Sequence, residues 1–147
     1  MPAQRIHLVR HGEVHNPEKV LYGRLPGYVL SDLGHEMAER AAQALATRDV
    51  TTLISSPLER AQQTANPISR VHSLSIGIDH DLIEAENVFQ GQRVAVGDGA
   101  LRQPSSWKHL YNPFKPSWGE PYEEQISRML AAIFDAKKAA AGKDAMV

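Results

Sequence analysis

The stretch RIHLVRHGE, residues 5–13, decides the fold because a short apolar run leads directly into residues that carry chemistry. Residues 5–10 are rich in β-forming side chains, so they predict a strand that ends at Arg10 and His11. Gly12 follows closely and lets the backbone approach a ligand without a side chain in the way. The pattern indicates that an arginine and a histidine lie side by side at the rim of a sheet. The alternative is an ordinary strand end with a solvated arginine and a turn glycine.

Outward from this strand, helical and strand patterns alternate along the chain. Such alternation is typical of an α/β fold, and we expect a three-layer α/β/α sandwich with a mostly parallel sheet. The predicted elements after the first strand are a helix over 33–47 capped by Ser31 or Asp32, a strand over 51–55, a helix from 56 to about 70, a strand over 74–78, and a long helix that begins at Pro121 and ends at Gly142.

The long helix has acidic residues in its first turn and lysines in its last turn, which suits the helix dipole. Its large apolar residues recur at helical spacing and predict a buried stripe. The stripe consists of Ile126, Met129, Leu130, Ile133 and Phe134. Residues 144–147 then begin a further predicted strand.

A second motif is the helix start SSPLERAQQTA, residues 55–65. Ser56 is predicted to cap this helix, with Pro57 at its first position and Glu59 completing a capping box. Arg60 then lies in the first turn, where free backbone N–H groups favour an anion. Ligands of parallel sheets bind where the strands end, so the two motifs can bring two arginines to one phosphoryl group.

A third motif is DLIEAENVFQG, residues 81–91, which is rich in carboxyl groups. A carboxyl group near two arginines can act as a general acid if burial raises its pKa. The alternative for this segment is a solvated acidic loop.

Composition narrows the classes of partner. The chain has 147 residues, of which 42% are hydrophobic and 22% charged, with a formal net charge of −1 and no cysteine. This length favours a single domain over 1–147 with a substantial core. The charge balance predicts no binding to nucleic acid or to a membrane, and no apolar window is long enough to span a bilayer. Disulfides and thiolate metal sites are excluded, no metal or cofactor is expected, and a cytoplasmic location is the default.

Taken in order, the three motifs resemble the histidine phosphatase superfamily, also called the phosphoglycerate mutase-like family. The resemblance implies a phosphoglycerate mutase-like fold with His11 as the nucleophile that becomes phosphorylated. It implies Arg10 and Arg60 as phosphate ligands and Glu84 as the proton donor, with Glu86 as the alternative donor. A neutral imidazole can attack phosphorus in line. The arginines offset the negative charge on the equatorial oxygens, which magnesium offsets in other phosphotransferases.

Three further residues are candidate phosphate-binding or rim positions under this resemblance. Asn16 lies six residues after Arg10, whereas many members of the family have an asparagine seven residues after the signature arginine. His15 is a candidate at the rim of the pocket, and the backbone of Gly12 is a candidate contact to phosphate.

The implied function is metal-independent hydrolysis of a small phosphorylated metabolite through a phosphohistidine. Phosphoglycerate mutase-type transfer is an alternative, and so is a catalytically impaired phosphate-binding fragment. The irregular segment 94–118 is expected to cover the substrate.

The last stretch of the sequence departs from the family pattern. The family has a second histidine just after the strand that follows the long helix, but here the sequence stops at Val147. We therefore expect the domain to lack its C-terminal elements and to form a homo-oligomer through an exposed sheet edge.

Overall fold

The computed structural model of the chain describes residues 4–95, 98–99, 102–109, 112 and 118–147. Within these residues, four parallel strands form one sheet in the order β1-β6-β2-β3, and a separate antiparallel pair is formed by β4 and β5. The elements are β1 (Ile6–His7), α1 (Asp32–Leu45), β2 (Val50–Ser55), α2 (Glu59–His72), β3 (Gly77–Ile78), a 3₁₀ turn (His80–Leu82), β4 (Val94–Ala95), β5 (Asp98–Gly99), α3 (Pro104–Trp107), α4 (Tyr122–Ala139) and β6 (Asp144–Met146).

The last strand in the sequence lies inside the sheet. In the register of β6, Ala145 is opposite Ile6 of β1, and Met146 is opposite Leu53 of β2. Because all four strands run parallel, their carboxyl ends meet at one edge of the sheet. β1 is shorter than predicted, since the regular ladder ends at His7.

Side chains alternate between the two faces of the sheet, and each face packs against helices. One face carries Leu53 and Met146, which form a buried cluster with residues of α1 and α2. The other carries Ala145 and Ile54, which pack against the C-terminal half of α4. The predicted three-layer α/β/α arrangement is confirmed.

The start of α2 differs from the predicted capping box. The helix begins at Glu59, two residues after the predicted first position Pro57, because Leu58 at the N-cap position has extended backbone angles. The Ser56 hydroxyl accepts from the Leu58 N–H at 3.4 Å, and the Glu59 carboxylate accepts from the Gly27 N–H at 3.2 Å. Both side chains predicted to cap α2 therefore hold the loops around it. In α1, by contrast, Ser31 is the cap, as predicted.

The predicted buried stripe of α4 is wrong for its largest members. Ile126, Leu130 and Phe134 are 58%, 46% and 60% exposed. The face of α4 that meets the sheet consists of small residues, with Ala132 and Ala136 at 1% and 0% exposure. Alanines every fourth residue let the helix axis approach the strands closely, and this contact leaves the large side chains on the outer face.

Part of the predicted substrate-covering segment 94–118 lies outside the described residues, and its role stays a prediction. Among the helices of the described chain, none combines the length and apolar character needed to cross a membrane.

Candidate active site

A cavity of about 410 Å³ opens at the carboxyl ends of the central strands. Arg10 and His11 enter it from the loop after β1, Arg60 from the first turn of α2, and Glu84 from the segment after the 3₁₀ turn. The structure thus brings together the four residues that carry the predicted chemistry.

The imidazole of His11 has a defined orientation. Its Nδ1 lies 2.7 Å from the carbonyl oxygen of Gly12. A carbonyl oxygen only accepts, so this contact assigns the proton of the neutral ring to Nδ1. The lone pair then resides on Nε2, which is the nitrogen suited to attack an electrophile.

The loop that holds His11 is tied to α2. The Gly12 N–H donates to the Thr64 hydroxyl at 3.2 Å, and this hydroxyl donates to the Arg60 carbonyl oxygen at 2.8 Å. Thr64 therefore connects the backbone beside the histidine with the first turn of the helix that carries the second arginine.

Arg60 is 1% exposed and its guanidinium is held on several sides. Its Nη2 donates to the Gly23 carbonyl at 2.7 Å and to the Glu84 carboxylate at 2.6 Å. The ring of Tyr22 lies 4.7 Å from the guanidinium carbon, in cation–π contact. The Nε of Arg60 is buried without a hydrogen-bond partner among the described residues. Buried donors without a partner are uncommon in folded proteins.

The two candidate acids occupy different places. The side chain of Glu84 is 46% exposed and faces Arg60 in the main cavity. Glu86 is 73% exposed and lies 3.5 Å from Arg24. It lines a smaller neighbouring cavity of about 240 Å³, which also includes Glu84. The geometry favours Glu84 over Glu86 as the proton donor, because Glu84 lines the cavity that contains His11. An ion pair with Arg60, rather than deep burial, holds the Glu84 side chain in place.

The weaker candidates do not line the main cavity. The amide of Asn16 closes a local turn, donating to the Val20 carbonyl at 2.8 Å and accepting from the Val20 N–H at 3.0 Å. His15 is exposed. Gly12 is buried behind His11. Of these three, none lines the 410 Å³ cavity, and their phosphate-binding roles stay predictions.

Arg10 supplies a cation without a protein partner. It is exposed, and no hydrogen bond or ion pair engages its side chain in the described part of the chain. Within the same residues, no group of three or more His, Cys, Asp or Glu side chains is arranged to hold a metal ion.

Sequence reasoning missed the residues that surround Arg60 and Glu84. Tyr22 and Gly23 hold Arg60, while Arg24 donates to the Glu84 carbonyl oxygen at 2.6 Å. These three lie in an irregular stretch with no periodic pattern, so nothing in the sequence alone singles them out.

Comparison with known proteins gives consistent matches along most of the chain. The sequence pattern of the histidine phosphatase superfamily, branch 1, matches residues 6–147. The uncharacterized protein Rv0525 of Mycobacterium tuberculosis is 52% identical over 145 residues, which are 98% of this chain and 72% of that protein. A putative α-ribazole-5′-P phosphatase of Escherichia coli has a TM-score of 0.80 at 24% identity, covering 99% of this chain and 73% of its own. Mycobacterial glucosyl-3-phosphoglycerate phosphatase Rv2419c has a TM-score of 0.72 at 25% identity, covering 95% of this chain and 71% of its own.

Proposed function

Because the chain belongs to the histidine phosphatase superfamily, we propose that it is a phosphomonoester hydrolase that works through a phosphohistidine at His11. The observation that supports this most strongly is the one cavity shared by Arg10, His11, Arg60 and Glu84. These side chains come from three separate parts of the sequence and meet where parallel strands end. Two phosphatases are among the structures that share the fold, which fits the same chemistry.

In the first step, Nε2 of His11 attacks phosphorus. The N–P bond forms while the bond from phosphorus to the ester oxygen breaks, and protonated Glu84 gives its proton to that oxygen. In the second step, Glu84 takes a proton from water as the water oxygen attacks phosphorus. The N–P bond breaks, and inorganic phosphate leaves with His11 and Glu84 in their starting states.

The arginines bind the phosphoryl oxygens in both steps. Arg60 is buried and anchored by the Gly23 carbonyl and the Glu84 carboxylate, so its guanidinium presents a fixed positive charge to the equatorial oxygens. Arg10 is exposed and can close on the phosphoryl group from the solvent side. Together they offset the charge of a phosphomonoester dianion, so the proposed reaction needs no metal.

The substrate class that we propose is a small phosphorylated metabolite. The cavity is lined by apolar residues outside the charged group, including Leu8 and Leu58, and these provide space for a leaving group. A cytoplasmic location and the absence of nucleic-acid and membrane partners stay predictions from the sequence.

The test is release of inorganic phosphate from an aryl phosphate. We expect His11→Ala to reduce the rate by about a thousandfold or more, because no other group replaces the nucleophile. His35→Ala is the matched control, since His35 is exposed on α1 and lies outside the cavity. Activity should persist in excess chelator.

Activity of His11→Ala within a few-fold of the parent would overturn the proposal. Loss of activity in excess chelator, with recovery of activity on addition of magnesium or zinc, would exclude the metal-independent mechanism. Transfer of the phosphoryl group to a second hydroxyl in place of water would favour the mutase alternative, and phosphate binding without turnover would favour a binding protein.

A further inference from the structure

The segment that carries Glu84 is held through its backbone carbonyl groups. Nη1 of Arg128 donates to the carbonyl oxygens of Asp81 at 2.5 Å and Ile83 at 2.6 Å. Nε of Arg24 donates to the carbonyl oxygen of Glu84 at 2.6 Å. Two arginines from distant parts of the chain thus hold three carbonyl groups within four residues.

A single carboxylate joins the two arginines. Glu120 accepts from Nε and Nη2 of Arg128 at 2.6 and 2.8 Å, a two-point pair, and from Nη2 of Arg24 at 3.1 Å. The side chains of Glu120, Arg128 and Arg24 are 12%, 16% and 26% exposed, so the ion pairs among them are partly shielded from water. The bonds to the Asp81 and Glu84 carbonyl oxygens lie in exposed positions. We call Arg24, Glu120 and Arg128 the carbonyl clamp.

The clamp lies beside the active site without entering it. None of its three residues lines the 410 Å³ cavity that contains His11. Its contacts to the acid segment are made with backbone oxygens, and the Glu84 carboxylate is left to Arg60. A change in the clamp therefore reaches the reaction through the position of Glu84.

Glu84 needs such support because little else fixes it. It follows a 3₁₀ turn, lies outside the strands and has a half-exposed side chain. A general acid must be within hydrogen-bond reach of the leaving oxygen, and small displacements cost large factors in rate. Fixing the carbonyl of Glu84 fixes the direction in which its side chain leaves the backbone.

We propose that Arg24, acting with Glu120 and Arg128, is a positioning residue that sets Glu84 for proton transfer and leaves phosphate binding unaffected. This inference rests on the proposed function, in which Glu84 is the proton donor. It predicts that the reduction in rate caused by removing the Arg24 side chain depends on the leaving group. Ester oxygens of high basicity need the proton, whereas a dinitrophenolate leaves without it.

The test compares an alkyl phosphate with 2,4-dinitrophenyl phosphate, using the single-turnover rate of leaving-group release, which reports the first step alone. Arg24→Met should lower this rate by about ten- to a hundredfold for the alkyl phosphate, within the contribution of a general acid. The rate for dinitrophenyl phosphate and the affinity for inorganic phosphate should change by less than about threefold. Arg93→Met is the matched control, since Arg93 is an exposed arginine whose Nε also donates to a backbone carbonyl, that of Glu18.

Two further variants separate the ways in which the inference can fail. Glu84→Gln should give the same dependence on leaving group, and more strongly. If it does not, the role of Glu84 in the proposed function is wrong. A different result is that Glu84→Gln shows the dependence on leaving group while Arg24→Met slows the reactions of both substrates equally, or of neither. The clamp then has no positioning role, and the proposed function stands.

Glu120→Gln guards against misfolding of the arginine variant, because it keeps the shape of the side chain and one acceptor oxygen. If Arg24→Met no longer binds phosphate, Glu120→Gln tests the positioning role of the clamp instead. A reduced single-turnover rate for the alkyl phosphate alone, smaller than that expected for Arg24→Met, would support this role. Unchanged rates for both substrates would overturn it.

Discussion

Gly12 lies against Gly34 so closely that neither position has room for a side chain. A Cβ built on Gly12 would be 2.4 Å from the Gly34 carbonyl oxygen and 2.9 Å from its Cα, and both are backbone atoms. The Ser31 N–H also donates to the Glu13 carbonyl at 2.9 Å. The loop after His11 and the first turn of α1 are therefore in direct backbone contact, which fixes the carbonyl that orients the imidazole.

At this scale we predict that Gly12→Ala lowers the free energy of unfolding by about 2 kcal/mol or more, because backbone must move to admit the methyl group. Gly77→Ala is the control, since its added Cβ would meet its nearest atom at 3.6 Å, an ordinary contact. Urea denaturation of both variants measures the difference. Equal stabilities for the two variants would show that the contact with Gly34 is not tight.

At the scale of elements, α4 illustrates what sequence periodicity could and could not predict. Its bounds follow from Pro121 at the start and from Gly142, with φ of 95°, beyond the end. The side that is buried could not be predicted, because two faces carry apolar residues at helical spacing. Contact with the sheet selects the alanine face, and this choice depends on how closely the strands allow α4 to approach.

We predict that Ala136→Leu destabilises the protein by about 1–3 kcal/mol, because its added atoms must enter the packed contact with Ala145. Phe134→Ser should change the free energy of unfolding by less than about 1 kcal/mol, since Phe134 is on the exposed face. Chemical denaturation tests both. The reverse order of effects would mean that the large apolar face of α4 is the buried one.

At the scale of the whole molecule, Arg10, His11 and Arg60 could be expected to meet, because parallel strands bring residues that follow a strand or begin the next helix to one edge of the sheet. Glu84 lies in an acidic segment without such a pattern, and only the resemblance to the family singled it out. The carbonyl clamp could not be predicted. Arg24 is separated from Glu84 by 60 residues and from Glu120 by 96, and it binds a backbone carbonyl, which every residue has.

Two carboxylates that link distant parts of the molecule make its stability depend on pH. Hydrogen bonds from Arg128 hold the pKa of Glu120 below its ordinary value of 4.5, and a hydrogen bond from His7 lowers the pKa of Asp144 below 3.8. Such groups stabilise the folded state fully above their unfolded pKa values. The stabilisation is lost as the pH falls through the lowered folded values.

We therefore predict that the free energy of unfolding falls as the pH decreases from about 6 to about 3. Glu120→Gln should be less stable than the parent protein at neutral pH, and its free energy of unfolding should fall less steeply than that of the parent over this pH range. Glu123→Gln, which removes an exposed carboxylate in the first turn of α4, is the control and should follow the parent. A pH dependence of Glu120→Gln identical to that of the parent would contradict the role of this carboxylate.

The most direct test of the proposed reaction is detection of the phosphohistidine itself. The protein is mixed with a ³²P-labelled phosphomonoester, quenched in base, and mapped by peptide analysis. We predict label on His11 that survives base and is lost in acid, is absent from His11→Ala, and persists in His35→Ala. Turnover without labelled protein, or label that is retained in His11→Ala, would contradict the mechanism.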